Sequence, residues 1–296
     1  MKMLGPSLLL ALLATSCSTT PVAHRVLVQG NGVLAVVETD GSTSWSTAWG
    51  GIHDLHALES GNVMVQRGAH EVVELDRTTG EVVWSYDSAT SNGNEGRPVE
   101  VHAFQPLENE RVMIVESGPA RILEVERATG AVVREVSLVV DRPHPHTDTR
   151  LARKLPGGTY LVCHEADGKV REYADDGHGP EAFGNKVFSA LRLPDGNTLI
   201  GTGNGHSVLE VTPEGEVVWS VHQDELPGIR LAWVTTLELL PNGNLVIGNC
   251  HAGPGQPLLV ELDRTTKDVV WTFDRYDTFG NSVPNTQLLD VTGALR

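Results

Sequence analysis

The chain has 296 residues, 5% of them aromatic and 20% charged, and this composition excludes a disordered chain and a coiled coil. Its formal net charge of −16 is offset by no cluster of Lys or Arg, so we expect no nucleic-acid partner. Three cysteines are too few for a disulfide scaffold.

The N-terminal segment is predicted to be an export signal. Lys2 precedes an apolar run, Leu4 to Leu13, which is shorter than the roughly 20 residues needed to span a bilayer. The run leads to Ser16-Cys17, and small residues before a cysteine resemble the bacterial lipobox, where the cysteine is acylated. This resemblance implies a signal peptide over residues 1–16 and lipidation of Cys17. An ordinary secretory signal with an incidental cysteine is the alternative.

The residue after Cys17 indicates the membrane to which the exported chain is sorted. In lipoproteins an Asp at that position directs retention in the inner membrane, and this chain has Ser18. The resemblance therefore implies an anchor in the outer membrane, on its periplasmic or surface face. Residues 17–25 are then a short tether, and residues 26–296 form the folded domain, which we expect to be monomeric.

One sequence pattern recurs along the predicted domain and has the form of a β-hairpin. Its clearest copy, Glu74 to Trp84, reads Glu-Leu-Asp-Arg-Thr-Thr-Gly-Glu-Val-Val-Trp, and a Gly-containing turn separates its two strand-like halves. Further copies occupy residues 124–134, 210–219 and 261–271, with partial copies at 40–45 and 172–177.

A second pattern precedes each hairpin and supplies two more strands. It begins with a leucine and continues into a tight turn, as in Leu193-Pro194-Asp195-Gly196-Asn197. The leucines are 38 to 49 residues apart and are Leu58, Leu107, Leu155, Leu193, Leu240 and Leu289. Four short strands repeated at this period predict a β-propeller, and the lack of helical periodicity excludes a helical solenoid.

The two ends of the domain are predicted to share a blade. Residues 285–291 have the form of an inner strand with no hairpin after it, whereas Val26 to Trp45 has the later strands alone. Six leucine frames therefore predict an all-β fold, a six-bladed propeller of four-stranded blades. Its first blade is closed by N- and C-terminal strands.

The Asp-Arg-Thr-Thr-Gly-Glu-Val-Val-Trp segment resembles the repeat of the pyrroloquinoline-quinone-like (PQQ-like) propeller family. The resemblance implies that Trp84, Trp219 and Trp271 pack against neighbouring blades. The quinone enzymes of that family have eight blades and a vicinal cysteine pair, whereas Cys163 and Cys250 lie far apart here. We therefore do not expect a quinone cofactor, and the cofactor is otherwise left open.

The candidate ligand site follows from strand order. In a propeller blade the innermost strand begins, and the second strand ends, at the same end of the central channel. Polar residues at these positions in successive blades should surround one mouth of the channel. They are His53, His102, Glu116, His146, Asp148, Arg150, His164, Glu165, Asn185, Asn204, His206, Trp233, Asn249 and His251. Each of them also has an alternative interpretation as a structural hydrogen-bonding residue.

Three functions fit this pattern. The first is a membrane-anchored binding or scaffold module that holds a small molecule, glycan or protein at the mouth, with outer-membrane assembly as one variant. The second is an enzyme, because the His-Asp-Leu-His segment at 53–56 resembles the arylsulfotransferase propellers, which use a channel histidine. The third is a divalent metal site, in which neutral imidazoles would bind with Glu116, Asp148 or Glu165.

Overall fold

The computed structural model describes residues 23–174, 181–182 and 187–296. These residues form six four-stranded antiparallel sheets, so the predicted six-bladed propeller is confirmed. Within them no helix is both long enough and apolar enough to cross a membrane. The predicted signal peptide, Cys17, most of the tether and Asn185 lie outside the described residues.

The blades follow one another along the chain, and each runs from an inner to an outer strand. In the first three blades the strands are β1 (Val26–Gly30), β2 (Val33–Val37), β3 (Thr43–Ala48), β4 (Leu55–Ala57), β5 (Val63–Arg67), β6 (Glu71–Leu75), β7 (Val82–Asp87), β8 (Glu100–Leu107), β9 (Arg111–Ser117), β10 (Arg121–Glu126) and β11 (Val132–Ser137). A short 3-10 helix, Ser88–Thr90, follows β7.

The last three blades repeat this order. Their strands are β12 (Ala152–Lys154), β13 (Tyr160–His164), β14 (Lys169–Tyr173), β15 (Glu181–Ala182), β16 (Ser189–Arg192), β17 (Thr198–Gly201), β18 (Ser207–Val211), β19 (Val217–His222), β20 (Trp233–Leu239), β21 (Leu245–Cys250), β22 (Leu259–Leu262) and β23 (Val269–Phe273). A one-turn helix α1, Tyr276–Phe279, precedes the final strand β24, Thr286–Leu288.

The final strand closes the ring as the sequence predicts. Strand β24 pairs with β1 and becomes the inner strand of the first blade, with Val26 opposite Leu288. His24, just before β1, places its ring nitrogens 2.9 Å from Glu261 Oε2 and 3.0 Å from Asp290 Oδ2. The two ends of the domain are therefore held by backbone pairing and by a buried histidine between two carboxylates.

Apolar packing holds adjacent blades together. Each of six clusters of buried side chains among the described residues joins two neighbouring blades, and one combines Val26 and Val28 of the first blade with Val246 and Phe273 of the sixth. The inner strands are buried because both faces of each blade meet a neighbour, whereas residues of outer strands such as β11 alternate between buried or half-buried and exposed.

The repeated hairpin explains the contacts between blades. Trp84 Nε1 donates a hydrogen bond to the Arg127 carbonyl oxygen of the next blade at 3.0 Å, and the Arg127 guanidinium lies 5.3 Å from the Trp84 ring centre. Arg127 also pairs with Glu74. Trp219 makes the same two contacts with Arg264. The predicted packing of Trp84 and Trp219 on the following blade is thus confirmed.

Candidate functional site

Most of the candidate residues lie at one end of the channel, which we call the upper mouth. It is the end where the inner strands begin, and His53, His102 and His146 reach it from the second blade, the third blade and the loop between the third and fourth blades. The opposite end is the lower mouth, where Leu295 forms a β-bridge with Leu239.

Four side chains from the second blade, the third blade and the loop after the third blade converge at the upper mouth. His53, Glu100, His102 and His146 each present one ligand-type atom, and these atoms all lie within 4.8 Å of one another. The ring centres of His53 and His102 are 4.2 Å apart, and those of His102 and His146 are 5.3 Å apart. We call these four residues the upper cluster.

Local strand geometry positions two members of the upper cluster. Glu100 begins β8, and His102 is the extra residue of a β-bulge between Val101 and Ala103. Bulges redirect side chains and are frequent next to functional sites. Here the bulge directs the fully buried His102 toward the axis, where its Nε2 atom lies 2.9 Å from Glu100 Oε2.

Glu100 is the member that the sequence analysis missed. Its Oε2 atom also lies 2.8 Å from His146 Nδ1, so this carboxylate links two of the histidines. The signal was present as the Glu-x-His pattern at the start of an inner strand. The predicted carboxylates were Glu116 and Glu165, which follow second strands, and Asp148, which lies in the loop before β12.

Burial sets the charge of the upper cluster. Burial, together with the neighbouring His102 and Arg150, lowers the pKa of His53 to about 2. Burial also lowers the pKa of His102. The hydrogen bond from His102 lowers the pKa of Glu100 to about 2. At neutral pH these two imidazoles are therefore neutral, and the carboxylate is ionised.

Arg150 lies behind the upper cluster and is already paired. Its Nη2 atom lies 2.5 Å from Glu165 Oε2, and its Nη1 atom lies 3.2 Å from His102 Nδ1. The guanidinium also lies 5.8 Å from the ring centre of Phe188. The positive charge of Arg150 is thus paired with Glu165. The flat face of its guanidinium lies against Phe188, which is the first ring of an aromatic row.

The aromatic row extends along the fifth and sixth blades. Phe188 and Trp233 meet edge to face with ring centres 6.4 Å apart, and Trp233 meets His251 at 5.6 Å. Trp233 Nε1 is buried and has no hydrogen-bond partner among the described residues. His206 and Asn204 lie in the turn after β17, where His206 contacts the Ala232 carbonyl oxygen.

Several other candidates have partners inside the fold. His164 Nδ1 lies 2.8 Å from the Asp148 carbonyl oxygen, and its Nε2 atom lies 2.9 Å from the Tyr173 hydroxyl. The Asp148 carboxylate accepts from the Gly118 amide at 2.9 Å. Glu116 accepts from Arg121 at 2.7 Å. These side chains fix the loops around the mouth, and the upper cluster does not include them.

Asn249 also acts within the fold. Its amide oxygen accepts from the Ala232 backbone at 2.8 Å, and its amide nitrogen donates to the carbonyl oxygens of Arg230 and Pro257. This side chain therefore ties the loop before β20 to the sixth blade.

The family of the chain follows from a comparison with known families. Residues 29–273 match the family described as outer membrane protein assembly factor BamB, whose model is of the PQQ-like type. The chain belongs to this family. The PQQ-like resemblance of the hairpin repeat is thereby confirmed for the assembly factor family. No curated protein is significantly similar to the chain.

Solved structures agree on the fold. A protein of unknown function from Bacteroides caccae is 24% identical, with 90% of this chain and 98% of that chain covered at a TM-score of 0.76. A catalytically inactive virginiamycin B lyase from Staphylococcus aureus, solved with quinupristin, is 12% identical. The match covers 94% of this chain and 98% of that chain at a TM-score of 0.57. A streptogramin B lyase is 15% identical, with 77% of this chain and 71% of that chain covered at a TM-score of 0.54. These similarities show the propeller fold alone.

Proposed function

We propose that the chain is a binding or scaffold module of the bacterial envelope that holds its ligand at the upper mouth. The observation that carries this proposal is the upper cluster itself. The His53 Nδ1 atom is buried with no hydrogen-bond partner in the described part of the chain. A buried polar atom without a partner costs free energy, so a bound ligand that supplies one is favoured.

The family and the N-terminal sequence support a place at the outer membrane. The family description names outer-membrane protein assembly. The apolar run before Cys17 has the pattern of a lipoprotein signal, and Ser18 is not the residue that retains lipoproteins in the inner membrane. More than one acyl chain on Cys17 would anchor the propeller stably.

The anchor is tested with variants at two adjacent positions. Cys17→Ser should leave the chain without lipid and outside the outer-membrane fraction, whereas Ser18→Ala should behave as wild type. Ser18→Asp should move the lipidated chain to the inner membrane. Mass spectrometry of the mature N-terminus and membrane fractionation measure these outcomes. An unlipidated wild-type chain that still sediments with the outer membrane would contradict the anchor.

Binding at the upper mouth is tested by cross-linking in cells. A photo-reactive benzoylphenylalanine replaces His251, which is exposed at the upper mouth, or Val218, which is 54% exposed on an outer strand. We expect defined cross-linked species from position 251 and none from position 218. Protease and glycosidase digestion then separates protein partners from glycans. Equal labelling at the two positions, or none at position 251, would contradict a binding mouth.

The charge at the upper mouth favours this proposal over an arylsulfotransferase-type enzyme. Such an enzyme needs cationic groups for the sulfate, but Arg150 is paired with Glu165, and His53 and His102 are neutral. Purified protein should therefore not transfer sulfate from 4-nitrophenyl sulfate to a phenol. Turnover that is lost in His102→Ala would establish the enzyme instead.

A further inference from the structure

We propose that His53, Glu100, His102 and His146 bind a divalent transition-metal ion of the zinc type. This inference rests on the proposed function, since it names the ligand class of the upper mouth. Three imidazoles and one carboxylate are a ligand set that Zn²⁺ accepts in proteins.

The separations in the upper cluster fit one ion. Metal–ligand distances of about 2.0–2.2 Å in a tetrahedral site place the ligand atoms roughly 3.3–3.6 Å apart. The four candidate atoms lie within 4.8 Å of one another. Glu100 Oε2 is already 2.9 Å from His102 Nε2 and 2.8 Å from His146 Nδ1. Small side-chain rotations therefore suffice to surround an ion.

The hydrogen bonds of His102 contain a conflict that a cation removes. Its Nδ1 atom lies 2.8 Å from the Thr149 carbonyl oxygen, and its Nε2 atom lies 2.9 Å from Glu100 Oε2. A neutral imidazole has a single N–H, so one of these contacts sets a nitrogen lone pair against an acceptor oxygen. With a metal ion, Nδ1–H donates to Thr149, and both Nε2 and Glu100 bind the ion. Arg150 Nη1, now 3.2 Å from Nδ1, must then turn away from this nitrogen while Nη2 keeps its pair with Glu165.

The Thr149 contact is the outer support that metal-bound histidines usually have. A hydrogen bond from the second ring nitrogen to a backbone carbonyl fixes the tautomer and the ring orientation. His53 adds a further free donor atom, because its buried Nδ1 has no partner in the described ranges. The upper cluster thus contains a nitrogen of His53 that is available to a metal ion and a His102 ring whose orientation is fixed by Thr149.

The electrostatic balance also favours a cation. Glu100 contributes one negative charge, and the positive charge of the nearby Arg150 is paired with Glu165. The formal net charge of −16 on the whole chain adds attraction for cations. His146 gives access from solvent, because its side chain is 49% exposed, whereas His102 is fully buried.

The test uses full-length protein stripped with a chelator and then titrated with Zn²⁺ by calorimetry. Co²⁺ titration followed by visible absorbance reports the coordination geometry. We expect one equivalent bound by wild type. His53→Ala, Glu100→Gln and His146→Ala should each weaken binding by about 100-fold or more, since loss of an outer support alone costs 10–100-fold. The matched control is His70→Ala, a half-exposed histidine paired with Asp87, which should bind as wild type.

Two results would overturn the metal site. One is the absence of stoichiometric binding to folded wild-type protein, and the other is equal affinity in the three variants and wild type. If the buried His53 variant fails to fold, the half-exposed His146→Gln decides the matter. Cross-linking at position 251 is measured in cells, independently of the metal titration. If wild-type protein binds no metal ion but still gives defined cross-links from position 251, the metal site is refuted and the proposed binding module is retained.

Discussion

His53 and Asp54 are neighbours in sequence, yet their environments differ completely. Asp54 accepts two hydrogen bonds from the Arg153 guanidinium at 2.8 and 3.0 Å and a third from Asn285 at 2.7 Å. His53 leaves a buried nitrogen without a partner in the described chain. The contrast teaches that a polar residue on the axis is structural where other blades supply its partners, and is a candidate ligand where they do not.

The same contrast separates the two mouths of the channel. At the lower mouth Arg296 donates to the carbonyl oxygens of Leu55 and Thr286 at 3.1 and 3.0 Å and to Gln287 Oε1 at 2.8 Å. These contacts pair the two terminal nitrogens of Arg296 with groups of the protein itself. At the upper mouth Nδ1 of His53 and Nε1 of Trp233 are buried with no hydrogen-bond partner among the described residues, and this is why we propose a ligand there.

The largest expected effect comes from breaking the pair in the middle of the channel. Asp54→Ala leaves Arg153 buried without its counter-charge and should lower the free energy of unfolding by about 3–5 kcal/mol. Urea unfolding measures the loss. The double variant Asp54→Leu, Arg153→Met should recover much of it, because both charges are then removed. A loss below about 1 kcal/mol in the single variant would contradict a structural role.

The repeated contact between blades should give the next largest effect. Arg127→Ala removes the ion pair with the buried Glu74 and the stacking on Trp84, and it should cost about 2 kcal/mol. The matched control is Arg67→Ala, because Arg67 pairs with Glu71 on the surface and should contribute less than about 1 kcal/mol. Equal losses in urea unfolding would mean that the repeat does not hold the blades together.

His24 should make ring closure depend on pH. Burial lowers its pKa, but the hydrogen bonds with Glu261 and Asp290 outweigh burial and raise the pKa above the ordinary value of 6.5. Stabilisation by the charged imidazole is therefore complete below about pH 6 and disappears as the pH rises through the raised pKa. We expect wild type to exceed His24→Gln by about 1.5 kcal/mol at pH 5.5.

This difference should shrink steadily toward pH 9 when both proteins are unfolded in urea. The comparison with His24→Gln cancels the contributions of titrating groups that do not interact with His24. Glu238, whose pKa burial raises to about 7 and a charged His24 lowers, is therefore replaced by Gln in both proteins. A difference that stays constant with pH, or one that grows, would contradict the charged latch between Glu261 and Asp290.

The smallest effect on stability is expected at the upper mouth. In chelated protein His146→Ala should change the free energy of unfolding by less than about 0.5 kcal/mol, because the side chain is half exposed. Added Zn²⁺ should stabilise wild type by mass action and leave this variant nearly unchanged. A loss in chelated protein as large as that of Asp54→Ala would make His146 structural.

The fold could be predicted from the sequence because it is periodic. The copies of the hairpin, the leucine frames and the unpaired inner strand at 285–291 determine blade number and closure without any loop geometry. Strand order also predicted the end of the channel at which His53, His102 and His146 lie. Glu100 begins an inner strand and lies at the same end, but its convergence with His102 depends on the β-bulge there, which breaks the regular pattern.

The hydrogen-bond partners that the other candidates have inside the fold could not be predicted from the sequence either. His164 and Asn249 have the same residue types and strand positions as members of a ligand site. Whether they bind a ligand or a backbone carbonyl is decided by the path of loops such as 138–151 and 223–232. These loops repeat neither in length nor in composition between blades.

The most direct measurement is anomalous diffraction at the zinc edge from crystals grown with one equivalent of Zn²⁺. We predict one strong peak at the upper mouth, bonded at about 2.0–2.2 Å to imidazole nitrogens of His53, His102 and His146 and to an oxygen of Glu100. His102 Nδ1 should keep its contact with Thr149. Peaks confined to surface histidines such as His70, with the upper cluster unchanged, would contradict the account.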